Sequence, residues 1–271
     1  MLIRCGYDIE FSTDMQVAMM AMLSVHPSRH KDLRTSQRLN ASPDIPLYYF
    51  EDGFGNVASR LTIPPGNVIL SCDFVIEDSG QPDRQLPDGP QARVEELPDT
   101  VIPFLLGSRY CETDRLMDVA WANFGHLSAA RDRVGAIVNF VHQHIEFGYR
   151  HARADKTAWD AYQERQGVCR DFAHLAIALC RCMNIPARYC TGYLGDIGVP
   201  PADAPMDFSA WFDVYIAGDW YSCDARHNIP RIGRILMARG RDATDVALTT
   251  AFGPANLIGF QVHTDEVSSI D

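Results

Sequence analysis

The residue best placed to do chemistry is Cys169, in Gly167-Val168-Cys169-Arg170-Asp171-Phe172-Ala173-His174-Leu175-Ala176-Ile177-Ala178-Leu179-Cys180-Arg181. Apolar residues at Val168, Phe172, Leu175, Ala176, Leu179 and Met183 follow the one-sided spacing of an amphipathic helix. Gly167 interrupts the chain just before this run, and Asn184-Ile185-Pro186 ends it. Cys169 is therefore expected in the first turn. Unpaired backbone N–H groups and the positive end of the helix dipole favour a thiolate there. The same N–H groups could receive an oxyanion. The competing reading is a buried structural thiol, one of the eight cysteines in the chain. A redox thiol is a third reading, for which no adjacent resolving cysteine is present.

Cysteine catalysis also needs a base, and a group that orients the base. Asp224 ends a strand expected to pair with the one beginning at Ser209, and can serve as the orienting acid. His174 falls about 140° round the helix from Cys169, so it faces elsewhere. His227 is the better base. A hairpin turning on Gly218-Asp219 would put Ala210 opposite His227 and Ser209 opposite Asn228. His142 and His144 are two apart on a helix and point in different directions, so they make no metal pair. Cys180 and Cys182 share no helix face, and there is no Cys-x-x-Cys pair. No metal site and no cofactor is expected. Arg231, Arg234, Arg239 and Arg241 could bind an acidic substrate group, but pairing with acidic neighbours is the favoured expectation.

The chain has 271 residues, 46% hydrophobic and 22% charged, ample for a core. Its formal net charge of −11 argues against nucleic acid or an anionic membrane as a general partner. No apolar run reaches the ~20 residues of a membrane helix. The N-terminal alternation Met1 to Phe11 is strand-like rather than a signal peptide. A cytoplasmic protein with unpaired cysteines is expected.

The elements that must position these residues change character along the chain. Up to about residue 100 the pattern is β-rich, with strands expected at Tyr7 to Phe11, Ile45 to Phe50, Val57 to Ile63 and Val68 to Ile76. A Pro-, Gly- and charge-rich linker follows at Leu86 to Pro98. Helices are expected from Thr113-Asp114 as a cap, from Ser128, and over Thr157 to Gln163 before the Cys169 helix. Next come a strand at Ile185 to Leu194 and a Pro-rich loop at Asp196 to Pro205. A hairpin of Ser209 to Ile216 with Trp220 to Asp224 and a final strand at Leu257 to Val262 complete the chain. The predicted class is α+β, one central helix against an antiparallel sheet. Residues 1–98 form a sandwich-like domain and 99–271 the cysteine domain, with the last strand free to pack back on the first.

Three motifs carry a resemblance: Gly-Val-Cys-Arg-Asp-Phe-Ala-His-Leu-Ala at 167–176, Ile-Pro-Ala-Arg-Tyr at 185–189 with Gly192-Tyr193, and Trp220-Tyr221-x-x-Asp224. Together they resemble the bacterial transglutaminase-like superfamily, and Asp-Gly-Phe-Gly-Asn at 52–56 resembles the β domain that precedes its cysteine core. The resemblance implies a papain-like core, a Cys-His-Asp triad acting on amide bonds and a peptide or protein substrate. Cys169 matches the nucleophile and Asp224 the third member. In the family a His-Ala-Trp motif opens the strand that carries the base. Here it is Ser209-Ala210-Trp211. A serine hydroxyl cannot act as a base near neutral pH, so the resemblance brings no complete triad. A pseudoenzyme that binds peptide or protein is the alternative to an enzyme.

Overall fold

The computed structural model describes residues 1–201 and 205–270. Strict alternation builds the first half. In β1 (Leu2–Thr13), Ile3, Cys5, Tyr7, Ile9 and Phe11 are buried, and the side chains between them mostly point outward. β2 (Val17–Ala21), β3 (Asn40–Ser42), β4 (Tyr48–Glu51), β5 (Val57–Ile63) and β6 (Gly66–Glu77) follow.

The second half is helical, then β. α1 (Thr113–Phe124) and α2 (Ala130–His144) lead to β7 (Glu146–Phe147), α3 (Ala158–Glu164) and β8 (Gln166–Gly167). Then come α4 (Cys169–Cys182), β9 (Ala187–Tyr193), β10 (Ser209–Ile216), β11 (Asp219–Cys223) and β12 (Ile235–Gly240), with β13 (Thr249–Ala251) and β14 (Asn256–Val267) last. The sheet orders are β14-β1-β6-β3, β13-β2-β5-β4 and β11-β10-β9-β12, and β7 pairs with β8 in parallel.

The first two sheets enclose one core, from Ile3, Tyr7 and Ile9 to Met19, Leu61, Ile63 and Phe74. The last two strands of the chain belong to these sheets: β14 runs antiparallel along β1, and β13 along β2. Tyr193, Phe208, Ile235 and Met237 extend the same core toward the third sheet. There the Phe74 and Tyr193 rings meet edge-on at 5.6 Å.

A second core surrounds α4, which is buried from Asp171 to Cys182. Helices α1, α2 and α3 cover it on one side, and Ala187, Tyr189, Ala210, Phe212 and Val214 on the other. The fold is α+β, a central helix on an antiparallel sheet, as the pattern predicts. Asn184 ends the helix run in the left-handed region at φ 59, where a short polar side chain is tolerated.

Local details depart from expectation. Glu112, not Thr113 or Asp114, takes the N-cap of α1, without a side-chain bond. The residue capping α2 is Ala129 rather than Ser128. Thr157 does cap α3: its Oγ1 accepts from Asp160 N at 3.2 Å. The Pro-rich loop expected at Asp196 to Pro205 lies partly outside the described residues, at 202–204.

The hairpin register also differs. The turn is Ala217-Gly218, with both residues at positive φ (51° and 87°), the geometry of a tight I′ turn. Pairing is therefore Ile216↔Asp219 through Phe212↔Cys223, two residues away from the expected register, and it stops before Ser209. His227 lies beyond the ladder rather than opposite Ala210.

Candidate active site

Cys169 is the first residue of α4, as expected, and it is half-buried. The approach to it is tightly fixed. Asp171 Oδ2 accepts the Val168 N–H at 2.9 Å, which caps the helix with a carboxylate from its own first turn. Gly167 must be glycine, since a Cβ there would lie 2.7 Å from Asp171 Cβ. Behind this turn the buried Lys156 ammonium donates to Gln166 O at 2.9 Å and pairs with Glu164 at 3.0 Å. As first-turn amides, the Cys169 and Arg170 N–H groups have no carbonyl acceptor within the helix and can receive an oxyanion.

The expected thiolate is not favoured. Burial pushes the Cys169 thiol up to about 11, and the carboxylates of Asp207 and Asp224 add to this. The Arg226 guanidinium and the Ala210 backbone N–H act the other way and do not offset burial. Sequence periodicity locates the helix terminus but not the burial around it, and burial acts against the helix dipole. No imidazole is among the groups acting most strongly on the thiol, and no hydrogen bond joins Cys169 to His227 among the described residues.

Asp224 lies just past the end of β11, buried. His227 Nδ1 sits 2.8 Å from its Oδ2, the Arg226 and His227 amides donate to Oδ1 at 3.0 Å, and Arg234 Nη2 donates to Oδ2 at 3.0 Å. Burial opposes its charge, but the His227 bond and the Arg234 guanidinium outweigh it and hold the carboxyl well below the usual range. Because a carboxylate only accepts, His227 Nδ1 donates to Asp224. That ring lines a cleft of about 270 Å³ shared with Tyr149, Asp207, Ser209, Arg226 and Arg231. Cys169 is not among the residues lining its open part, although Asp207 and Arg226 face both. Ser209 is buried at the start of β10, where the resemblance calls for the base.

His174, His142 and His144 are held by structural contacts. His174 stacks on Tyr110 at 5.0 Å, its Nε2 accepts the Ala243 N–H at 3.1 Å, and burial keeps it neutral. His142 Nδ1 lies 3.0 Å from Arg226 O, and His144 Nε2 lies 2.7 Å from Tyr162 O. Among the described residues, no cluster of His, Cys, Asp or Glu could hold a metal ion.

Of the four arginines expected to pair with acids, three do. Arg231 reaches Asp196 at 3.6 Å, Arg234 bridges Asp83 and Asp224, and Arg241 pairs with Asp245. Arg239 makes no ion pair among the described residues. Sequence reasoning missed Asp83, Tyr149, Asp207 and Arg226, which come from separate loops without a shared motif.

Comparison with known proteins bears on the family and the fold. Residues 122–225 match the profile of the Transglutaminase-like superfamily. A crystal structure from Cytophaga hutchinsonii, of a protein proposed to be a cysteine protease, is 30% identical. It superposes with a TM-score of 0.84 over 99% of this chain and 91% of that one. An uncharacterized Mycobacterium tuberculosis protein is 28% identical over 220 residues, covering 72% of this chain and 68% of the relative. An uncharacterized Mycobacterium leprae protein is 37% identical over 95 residues, and the match spans only 32% of each chain. The helix-borne cysteine, the strand-end aspartate and the whole-chain superposition agree: the protein belongs to the transglutaminase-like superfamily.

Proposed function

We propose that the protein is a cysteine enzyme acting on amide or peptide bonds, with Cys169 as nucleophile and the Asp224–His227 pair as base. One observation carries this reading: His227 Nδ1 is held by Asp224 at 2.8 Å while the ring lines the cleft that Ser209 also lines. That leaves Nε2 to take a proton, which is how an acid orients a catalytic imidazole. The Cytophaga relative, proposed to be a cysteine protease, supports the same class. During attack the thiol proton passes to His227 as the Sγ–C bond forms, and the first-turn amides hold the oxyanion. Collapse expels the amine, which takes the proton from the imidazolium and leaves a thioester at Cys169. Water then gives an acid, or a second amine gives a new amide, and the thiol is restored. Approach of His227 to Cys169 accompanies substrate binding, since catalytic contacts are often long in unliganded sites. The substrate is a peptide or protein carboxamide. The eight unpaired thiols fit a reducing compartment, and we assign the protein to the cytoplasm.

A second reading is a peptide-binding module that keeps the cleft without catalysis. It is favoured by the thiol pushed up to about 11, with no imidazole bonded to it among the described residues. Mass spectrometry of the protein incubated with a glutamine-containing peptide separates the two. The enzyme reading expects a thioester on Cys169 that disappears in His227→Ala. Peptide bound without any thioester, together with the same alkylation pH profile for wild type and His227→Ala, refutes catalysis and supports the binding module.

A further inference from the structure

Arg239 on β12 is half-buried, yet its guanidinium has no hydrogen bond and no ion pair among the described residues. Its backbone is fixed: the N–H donates to Asn56 Oδ1 and the C=O accepts from Asn56 Nδ2, both at 2.8 Å. Other buried arginines of this sheet region do have acceptors. Arg234 bridges two carboxylates, and Arg181 donates to Ala187 O, Leu106 O and Ser108 Oγ. What sets Arg239 apart is that its partly desolvated guanidinium has neither a carboxylate nor a carbonyl bonded to it among the described residues.

Its neighbour is Arg188. That side chain lies 4.0 Å over the Trp220 ring and donates Nε and Nη2 to Asp213 at 2.9 and 2.8 Å, which leaves Nη1 open. Strand alternation puts Arg188 and Arg239 on the face of the third sheet turned away from α4, since Tyr189 and Ala238 point toward α4. Together they line a cavity of about 360 Å³. Its other walls include Phe54, Phe104, Trp220 and the exposed Thr100, and no acidic side chain lines it. Phe104 packs edge-on against Trp220 at 5.4 Å and tilted against Phe54 at 6.1 Å, so the apolar wall is preformed. Burial, reinforced by Arg188, disfavours the charge on Arg239, which an incoming anion would relieve.

We propose that this cavity binds a small organic oxyanion, a carboxylate or phosphate borne on a flat apolar body. Arg239 and the free Nη1 of Arg188 hold the charged group, and Trp220, Phe54 and Phe104 cover the apolar body. The site is separate from the Cys169 cleft and does not depend on catalysis there. Calorimetric titration with phenyl phosphate and with benzoate tests it, with inorganic phosphate and benzyl alcohol as the charge-only and ring-only probes. At least one aromatic oxyanion should bind one to one, more weakly as salt rises, and about tenfold or more tighter than either control. Arg239→Gln, and independently Thr100→Glu at the exposed rim, should each weaken it by about tenfold or more, whereas Cys169→Ala should not. If neither aromatic oxyanion saturates the protein, or a control binds as tightly, the proposal is wrong. Binding that survives both rim and Arg239 substitutions, or that is lost in Cys169→Ala, overturns it equally.

Discussion

The start of α4 and the start of β10 belong to one cleft region, and they are built to different standards. At α4, Gly167 has no room for a methyl group, Asp171 caps Val168, and Lys156 pins the preceding turn. At β10, the strand is equally well placed, with Ser209 paired to Gly192 on β9, but its side chain is a hydroxyl. The scaffold holds the backbone at position 209 as firmly as that at Cys169. The difference teaches that positioning and proton transfer are separable: the fold survives intact where the chemistry depends on one side chain.

Ser209→His is the most direct way to break that contrast, and the largest effect expected. The cleft beside Ser209 has about 270 Å³ of space, enough for an imidazole. General base catalysis contributes roughly 10²- to 10⁴-fold, so amide hydrolysis by the variant should exceed wild type by about that range if His227 does not serve Cys169, and should gain little if it does. The Cys169 titration should also fall from about 11 as an imidazolium stabilises the thiolate. Rates on a glutamine-containing peptide and alkylation across pH measure both. An unchanged rate with wild type active would mean that His227 already supplies the base, and with wild type inactive that the cleft lacks more than a base.

The contrast also explains what the sequence could disclose. The α4 helix was readable because its apolar stripe and flanking Gly167 and Asn184 are local signals. The hairpin was readable, but its register was not, because Ala217 occupies the left-handed region that sequence usually reserves for glycine or asparagine. Asp224 could be placed at a strand end. Its partnership with Arg234 and Asp83 could not, because Asp83 lies 151 residues before Arg234 in a loop. The direction of the Cys169 shift depends on three-dimensional burial, which no spacing rule reports. In sequence Arg239 resembles its three neighbouring arginines, and only the position of their acidic partners in space separates it from them.

Asp224 tests the opposite side of the comparison, the part that is fully partnered. Asp224→Asn leaves the buried Arg234 with one carboxylate instead of two and weakens the His227 contact. Breaking a buried pair costs about 3–5 kcal/mol, which denaturant unfolding should detect. The carboxyl is held below its unfolded value near ~3.9, so its contribution is present above about pH 4 and is lost as pH falls toward the lower folded value. The variant should be less stable at neutral pH, with a shallower loss of stability below pH 4. An identical acid profile in wild type and variant would show that Asp224 is not the group that charges favourably in the fold.

Gly167→Ala probes the tighter of the two regions with the smallest change. The added methyl meets Asp171 at 2.7–2.8 Å, so Asp171 or the turn must shift, at a cost of about 1–3 kcal/mol. A shift of this turn opens the start of α4, and the thiol is raised chiefly because it is buried there. Partial exposure should therefore lower the midpoint of Cys169 alkylation from about 11 toward the ~8.5 of a free thiol. A midpoint that stays put while stability falls would assign the raised thiol to Asp207 and Asp224 rather than to burial. The electrostatics of the cleft, not its packing, would then be what an added base at position 209 has to overcome.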